Sequence, residues 1–251
     1  MKGTVHLVGA GPGAADLLTL RAARLLAEAE IVFHDALVSA EILALAPRAE
    51  KVAVGKRSGR HSTAQRFINK RLADAAIRYR TVVRLKGGDP MVFGRAHEEI
   101  SFLVERGIRV EVVPGITAAL AASADLQVPL TRRGSARSVT FVTPRVEKGG
   151  APSSWVRAVL AADTAAIYMG AGEANTIATA LIDAGTPADT PVAVVENASL
   201  PEMRAVHGCL NELPTLAEAN REAPALILLG GVFREALAAA LQATARRAQA
   251  R

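Results

Sequence analysis

The sequence predicts an α/β protein assembled from two α/β halves, and three observations carry that expectation. Thr4 to Val8 is a short apolar strand that runs into Gly9-Ala10-Gly11-Pro12-Gly13-Ala14, and leucines at helical spacing follow it. Thr81 to Lys86 is a second strand of this kind, stopped at Gly87 and Gly88. Val128-Pro129-Leu130-Thr131-Arg132-Arg133-Gly134-Ser135 then interrupts the pattern before strands and helices resume. The halves are therefore expected at 1–130 and 138–251, with a linker at about 131–137.

Taken in order, the first strand and the helix through Leu17, Leu18, Leu20, Ala23, Leu25 and Leu26 lead to a strand at Ile31-Val32-Phe33, a βαβ unit. Ser39 opens a helix that Pro47 stops, and Lys51 to Val54 forms a third strand. Ser62 and Gln65 have capping-box spacing for a helix reaching about Tyr79. A helix over Ala96 to Arg106 ends at Gly107, Arg109 to Val113 is a strand, and Thr117 begins a helix of small residues. In the second half, strands are expected at Ser138 to Thr143, Thr164 to Met169, Pro191 to Glu196, Arg204 to Gly208 and Ala225 to Gly230. A helix at Glu173 to Ala184 is closed by Gly185, and another runs from Arg234 into the tail.

Composition narrows the function classes. The chain has 251 residues, is 50% hydrophobic and has a mean hydropathy of +0.22, enough apolar material for packed cores. No apolar run reaches membrane-spanning length, and Met1-Lys2-Gly3-Thr4 leads straight into a strand, so a cytoplasmic location is expected. Cys209 is the only cysteine and the five histidines show no ligand spacing, so neither a disulfide nor a metal is expected. The net charge of +6 and pI near 10.0 point to an anionic partner. With only 4% aromatic residues for base stacking, and with the central basic residues confined to two loops, a small polyanion fits better than nucleic acid.

Three turns are candidates for chemistry. Gly87 and Gly88 carry no Cβ, so a ligand could lie against their backbone, and Asp89 offers a carboxylate at the end of a strand; Gly-Gly-Asp-Pro is equally ordinary turn chemistry with a capping Asp. Gly55-Lys56-Arg57-Ser58-Gly59-Arg60-His61 concentrates positive charge just ahead of a helix, which suits it to gripping carboxylates and suits it also to plain solvation. Gly9, Gly11 and Ala14 formally satisfy a dinucleotide fingerprint with an acid about twenty residues on, but Pro12 has no amide to give a pyrophosphate. Met169, at a strand end, reads from the residues alone as gap-filling core.

Val8-Gly9-Ala10-Gly11-Pro12-Gly13, Asp35-Ala36-Leu37-Val38-Ser39, Val54 to Ser62, Arg84 to Arg95, Val113-Pro114-Gly115-Ile116-Thr117, Pro129-Leu130-Thr131 and Tyr168-Met169-Gly170 occur in a distinctive order and spacing. In this the chain resembles the tetrapyrrole methylases, and through Asp35 to Ser39 and the Val54 to Ser62 loop it resembles the uroporphyrinogen-III C-methyltransferase branch. The resemblance implies a two-domain fold with S-adenosyl-L-methionine held in the cleft between two α/β halves. It further implies methylation of uroporphyrinogen III at C2 and C7 to give precorrin-2, for sirohaem or cobalamin synthesis, and a homodimer. Carried over residue by residue, it makes Pro12, Gly87, Gly88, Asp89, Val92, Thr117, Ala118, Met169 and Ala198 the cofactor contacts, Asp35 a proton acceptor and Lys56 a proton donor. The eight carboxylates of that substrate would give Arg57, Arg60, His61, Arg132, Arg133 and Arg145 a clamping task.

The chain departs from the pattern in four places. His34 stands where the family usually has Tyr, Ala96-His97 replaces a Gly-Gly pair, Pro144-Arg145 replaces a common Gly-His, and Ala198 sits where many members have Gly. These changes touch the expected substrate and cofactor contacts without removing Asp35 or Lys56. Two other readings stay open on the sequence: a methylase of the same fold acting on a later corrinoid precursor, and a nicotinamide-binding protein.

Overall fold

A computed structural model describes residues 2–54, 65–145, 154–218 and 223–249. The chain divides into two compact units, Met1–Ala118 and Ala119–Arg251. The Val128 to Ser135 interruption lies within the second unit. The physical reason is the small-residue helix: Ala119, Ala121 and Ala122 are buried among Leu226, Leu228 and Phe233 of that unit.

The first unit is built on strands β1 (Thr4–Gly9), β2 (Ile31–His34), β3 (Glu50–Ala53), β4 (Thr81–Lys86) and β5 (Arg109–Val113). They form one sheet in the order β3-β2-β4-β1-β5, and every neighbouring pair is parallel. Parallel strands covered on both faces need apolar residues on both sides of the strand, as Val5, Leu7 and Val8 provide around the buried His6. Helices α1 (Leu20–Glu28) and α2 (Ala40–Ala44) pack on one face with Val8, Val32, Val83 and Leu85. Helices α3 (Gln65–Arg78) and α4 (Ala96–Val104) pack on the other with Val5, Leu7, Phe33 and Val82. Ser39 caps α2 by accepting from the Ile42 N–H at 3.3 Å. Gly107 ends α4 at φ 61°, its N–H bonded to the Val104 carbonyl and that of Ile108 to Leu103.

The second unit carries α5 (Ala118–Asp125, all but its first residue), then β6 (Val139–Val142), α6 (Trp155–Leu160), β7 (Thr164–Tyr168) and α7 (Ala174–Asp183). Strands β8 (Pro191–Glu196) and β9 (Arg204–Cys209), α8 (Leu213–Glu218), β10 (Ala225–Gly230) and α9 (Arg234–Gln249) complete it. Its sheet runs β6-β7-β10-β8-β9 and is mixed: β6 and β7 are parallel, while β10 is antiparallel to both β7 and β8, and β8 to β9. The short helices α6 and α8 were not expected from the sequence; each is a single amphipathic turn or two whose apolar side, Val159 or Leu213 and Ala217, closes one face of this sheet. Among the described residues no helix is long and apolar enough to cross a membrane.

His207 on β9 is half-buried, its Nδ1 has no partner among the described residues, and burial pushes its pKa below 6.5. A group whose folded pKa is depressed contributes stability that is present above the unfolded value and lost as pH falls through the folded one. Lowering the pH from about 7.5 to about 5 is therefore expected to reduce Tm more in the wild type than in His207→Phe, measured by calorimetry. Equal slopes would show that folding does not lower the His207 pKa.

Candidate active site

Because every strand of the first sheet runs the same way, all its carboxyl ends lie along one edge. That edge collects Pro12 after β1, Asp35 after β2, Gly87 to Asp89 after β4 and Thr117 after β5. Ligands of open parallel sheets bind at this edge.

The loops there are tied by backbone. Gly11 and Gly88 form an antiparallel bridge, Gly88 N–H to Gly11 carbonyl at 2.7 Å and Gly11 N–H to Gly88 carbonyl at 3.1 Å. Gly9, Gly88 and Gly115 stack main chain on main chain: a Cβ on Gly115 would run into the Gly88 carbonyl oxygen and lie 2.8 Å from Gly9 Cα. Asp89 Oδ1 accepts from the Met91 N–H at 2.7 Å and Oδ2 from the Gly115 N–H at 2.9 Å, so this carboxylate braces both turns. The sequence reading of a capping Asp is met in this loop.

This arrangement refines the bare-backbone expectation. The N–H and C=O of Gly88 are spent on Gly11, whereas the half-exposed Gly87 has no hydrogen-bond partner among the described residues. Gly88 itself sits at φ 67°, and a Cβ there would meet only Thr117 Cα, at 3.8 Å, with open space beyond. A Cβ on Gly87 would lie 3.3 Å from the Cβ of exposed Leu37, which borders this turn. Ser39, two residues on, donates to the Gly13 carbonyl at 3.4 Å and draws the Asp35 to Ser39 segment to the first glycine turn. An open, glycine-walled hollow flanked by an apolar side chain and a carboxylate suits a flat ligand with polar edges.

A buried charge network lies directly behind Asp35. Arg84 Nη2 donates to Asp35 Oδ1 at 2.5 Å and Arg84 Nε to Glu99 Oε1 at 3.1 Å, while Lys86 Nζ reaches both Glu99 oxygens at 3.2 and 3.1 Å. Arg84, Lys86 and Glu99 are only 2%, 3% and 0% exposed. Burial, and next the Arg84 charge, lower the Lys86 pKa, with Glu99 opposing. Sequence reasoning missed this network, although β4 held a signal. Arg84 and Lys86 alternate with Val83 and Leu85 on a central strand whose two faces are both covered, and charges there need partners. Beyond the loop, Arg95 and Glu98 form a two-pronged ion pair at 2.6 and 2.8 Å, also unforeseen, and Phe93 and Arg95 hold left-handed backbone at φ 52° and 54°.

Of the other expected cofactor residues, Val92 follows Asp89 with its N–H on the Asp89 carbonyl at 3.2 Å, Thr117 is buried and Ala118 half-buried. In the second unit, β7 and β8 both oppose β10, so Met169 and Ala198 lie beyond the same edge of that sheet. Met169 is exposed with φ 56° and so is not the gap-filling core expected from the residues alone, and Ala198 is buried after Asn197 at φ 49°. Tyr168, beside Met169, accepts the Ala119 N–H at 3.1 Å and so caps α5. Arg132 is bonded to Glu235 at 2.8 and 3.3 Å, an exposed pair, and Arg133 and Arg145 are exposed. Lys56, Arg57, Arg60 and His61, with the Ser62 cap, lie outside the described residues. Among the described residues no group of three or more His, Cys, Asp or Glu could hold a metal ion.

A profile described as Tetrapyrrole (Corrin/Porphyrin) Methylases matches residues 4–214. The chain is 45% identical over 232 residues to the siroheme synthase of Zymomonas mobilis, covering 92% of this chain and 49% of that one. It is 46% identical over 235 residues to the S-adenosyl-L-methionine-dependent uroporphyrinogen III methyltransferase of Arabidopsis thaliana, 92% of this chain and 63% of that one. It thus spans about half the length of the siroheme synthases it matches. Among solved structures, uroporphyrin III C-methyl transferase from Thermus thermophilus in its native form superposes with a TM-score of 0.80 at 44% identity, covering 92% of this chain and 94% of that one. The same enzyme complexed with S-adenyl homocysteine gives 0.79 at 45%, covering 92% and 99%. With most of its length matched by the family profile and its fold reproduced by these structures, the chain belongs to the tetrapyrrole (corrin/porphyrin) methylases.

Proposed function

We propose that this chain is an S-adenosyl-L-methionine-dependent methyltransferase that methylates uroporphyrinogen III at C2 and C7, giving precorrin-2 and S-adenosyl-L-homocysteine. The observation that carries the reading is the first sheet's carboxyl edge, where Asp35 and the open Gly87–Gly88 turn stand together. It is supported by a relative whose name specifies uroporphyrinogen III methylation and by a similar structure solved with S-adenyl homocysteine. The described residues fit the methyl donor. Gly87 leaves its backbone groups open, Gly88 leaves room where any side chain would stand, and exposed Met169 offers apolar surface on the second unit.

When bound, the donor supplies a methyl already activated by its sulfonium, so that carbon–carbon bond formation expels the neutral thioether. The chain's share of the work is to align the reacting atoms and to manage the proton that leaves the macrocycle. Asp35, held by Arg84 at the edge of the hollow, accepts that proton, and Lys56 returns one where the ring isomerises. Arg57, Arg60, His61, Arg132, Arg133 and Arg145 draw in and hold the substrate's carboxylates. Action in the cytoplasm belongs to the same reading, as do a homodimeric state and supply of sirohaem or cobalamin synthesis, which rest on the family resemblance; sedimentation tests the dimer.

Purified chain given uroporphyrinogen III and the methyl donor should transfer two methyls per macrocycle and develop dipyrrocorphin absorbance. Turnover of a later corrinoid precursor in place of uroporphyrinogen III would move the reading elsewhere in the family. Thermal protection by NAD(P) but not by S-adenosyl-homocysteine would reject it.

A further inference from the structure

Glu99 takes no part in the chemistry described above, yet it is wholly buried in the first turn of α4 and accepts four hydrogen bonds from three side chains. Two donors, Arg84 and Lys86, come from β4, and the third, Gln65 Nε2 at 3.0 Å, comes from α3. Gln65 is steadied in turn by Asn69 Oδ1 at 2.9 Å, and Asn69 Nδ2 donates to the Glu98 carbonyl at 3.1 Å. The carboxylate is thereby fixed by three side chains from two elements.

Its bond to Arg84 has a directional consequence. A guanidinium is planar and its donors point in set directions. With Nε on Glu99, Nη1 on the Leu85 carbonyl at 3.2 Å and Nη2 on Asp35, the plane of Arg84 is fully determined. The two cations and two carboxylates balance, whereas a neutral group at Glu99 would leave two buried cations facing Asp35 alone. We propose that Glu99 is a positioning residue: it clamps Arg84 from behind and thereby aims the Asp35 carboxylate at the proton it accepts. This rests on the methylation reading and on Asp35 as its base.

The test is a double-mutant cycle on kcat with the methyl donor saturating. Glu99→Gln should lower kcat about tenfold to a hundredfold, the cost of a misplaced group, with S-adenosyl-homocysteine affinity held within about twofold. Combined with Asp35→Asn it should cost nothing further, since the carboxylate it aims is gone. Should Glu99→Gln not fold, Arg84→Lys, which cannot keep both contacts in one plane, should show the same loss and the same absence of additivity. Losses that multiply, or weakened S-adenosyl-homocysteine binding at unchanged kcat, would overturn the inference and leave Glu99 as a brace of the loop between β4 and α4. Wild-type turnover by Asp35→Asn alone would instead remove Asp35 as the base, and this inference with it.

Discussion

Asp35→Asn is expected to slow methylation of uroporphyrinogen III by about a hundredfold to ten-thousandfold while S-adenosyl-homocysteine binds with near wild-type affinity. The substitution keeps an oxygen where Arg84 Nη2 donates at 2.5 Å, so the buried guanidinium retains an acceptor and the unit stays folded. What disappears is the basic oxygen at the edge of the glycine hollow. Asp35 extends from the end of β2 and the Gly87–Gly88 turn from the end of β4, so cofactor surface and proton acceptor sit on separate loops and separate mutationally. Single-turnover rates with calorimetric titration of S-adenosyl-homocysteine check both halves. A variant that loses cofactor binding along with turnover would contradict this division of labour.

Gly88→Val should weaken S-adenosyl-homocysteine binding by about a hundredfold or more, equivalent to about 2.7 kcal/mol. Two effects act together. At φ 67° a β-branched residue is strained, and its side chain would rise into the space that is open except for Thr117 Cα at 3.8 Å. Gly88→Ala separates them, since it carries most of the backbone cost, about 1 kcal/mol, with a single methyl of added volume. Affinity falling steeply from alanine to valine would place the ligand over this residue. Affinity unchanged in both would show that the hollow at the carboxyl edge of β4 is not where the cofactor lies.

Much of the first unit was legible in the sequence because its signals are local. Apolar runs such as Ile31 to Phe33, the stop at Gly87–Gly88, the Ser39 cap and the Gly107 terminator each act within a few residues, and the structure has them there. The candidate site was legible as turns. What those turns do was only half visible: Asp89 was readable as cap or as ligand group, and only folding shows its two oxygens bracing Met91 and Gly115. Met169 illustrates the opposite limit. Composition suggested core, but exposure and left-handed backbone leave it at the surface of its own unit.

By itself the sequence determined an α/β protein with glycine-rich strand ends, a basic and aromatic-poor composition, and a motif order that marks its family. Tertiary structure decided the direction of β10 against β7 and β8, the three-glycine stack of Gly9, Gly88 and Gly115, and the burial of Arg84, Lys86 and Glu99 in one balanced network. The reason is sequence separation. Strand direction and charge pairing are settled by which distant segments desolvate one another, and no local pattern encodes that choice.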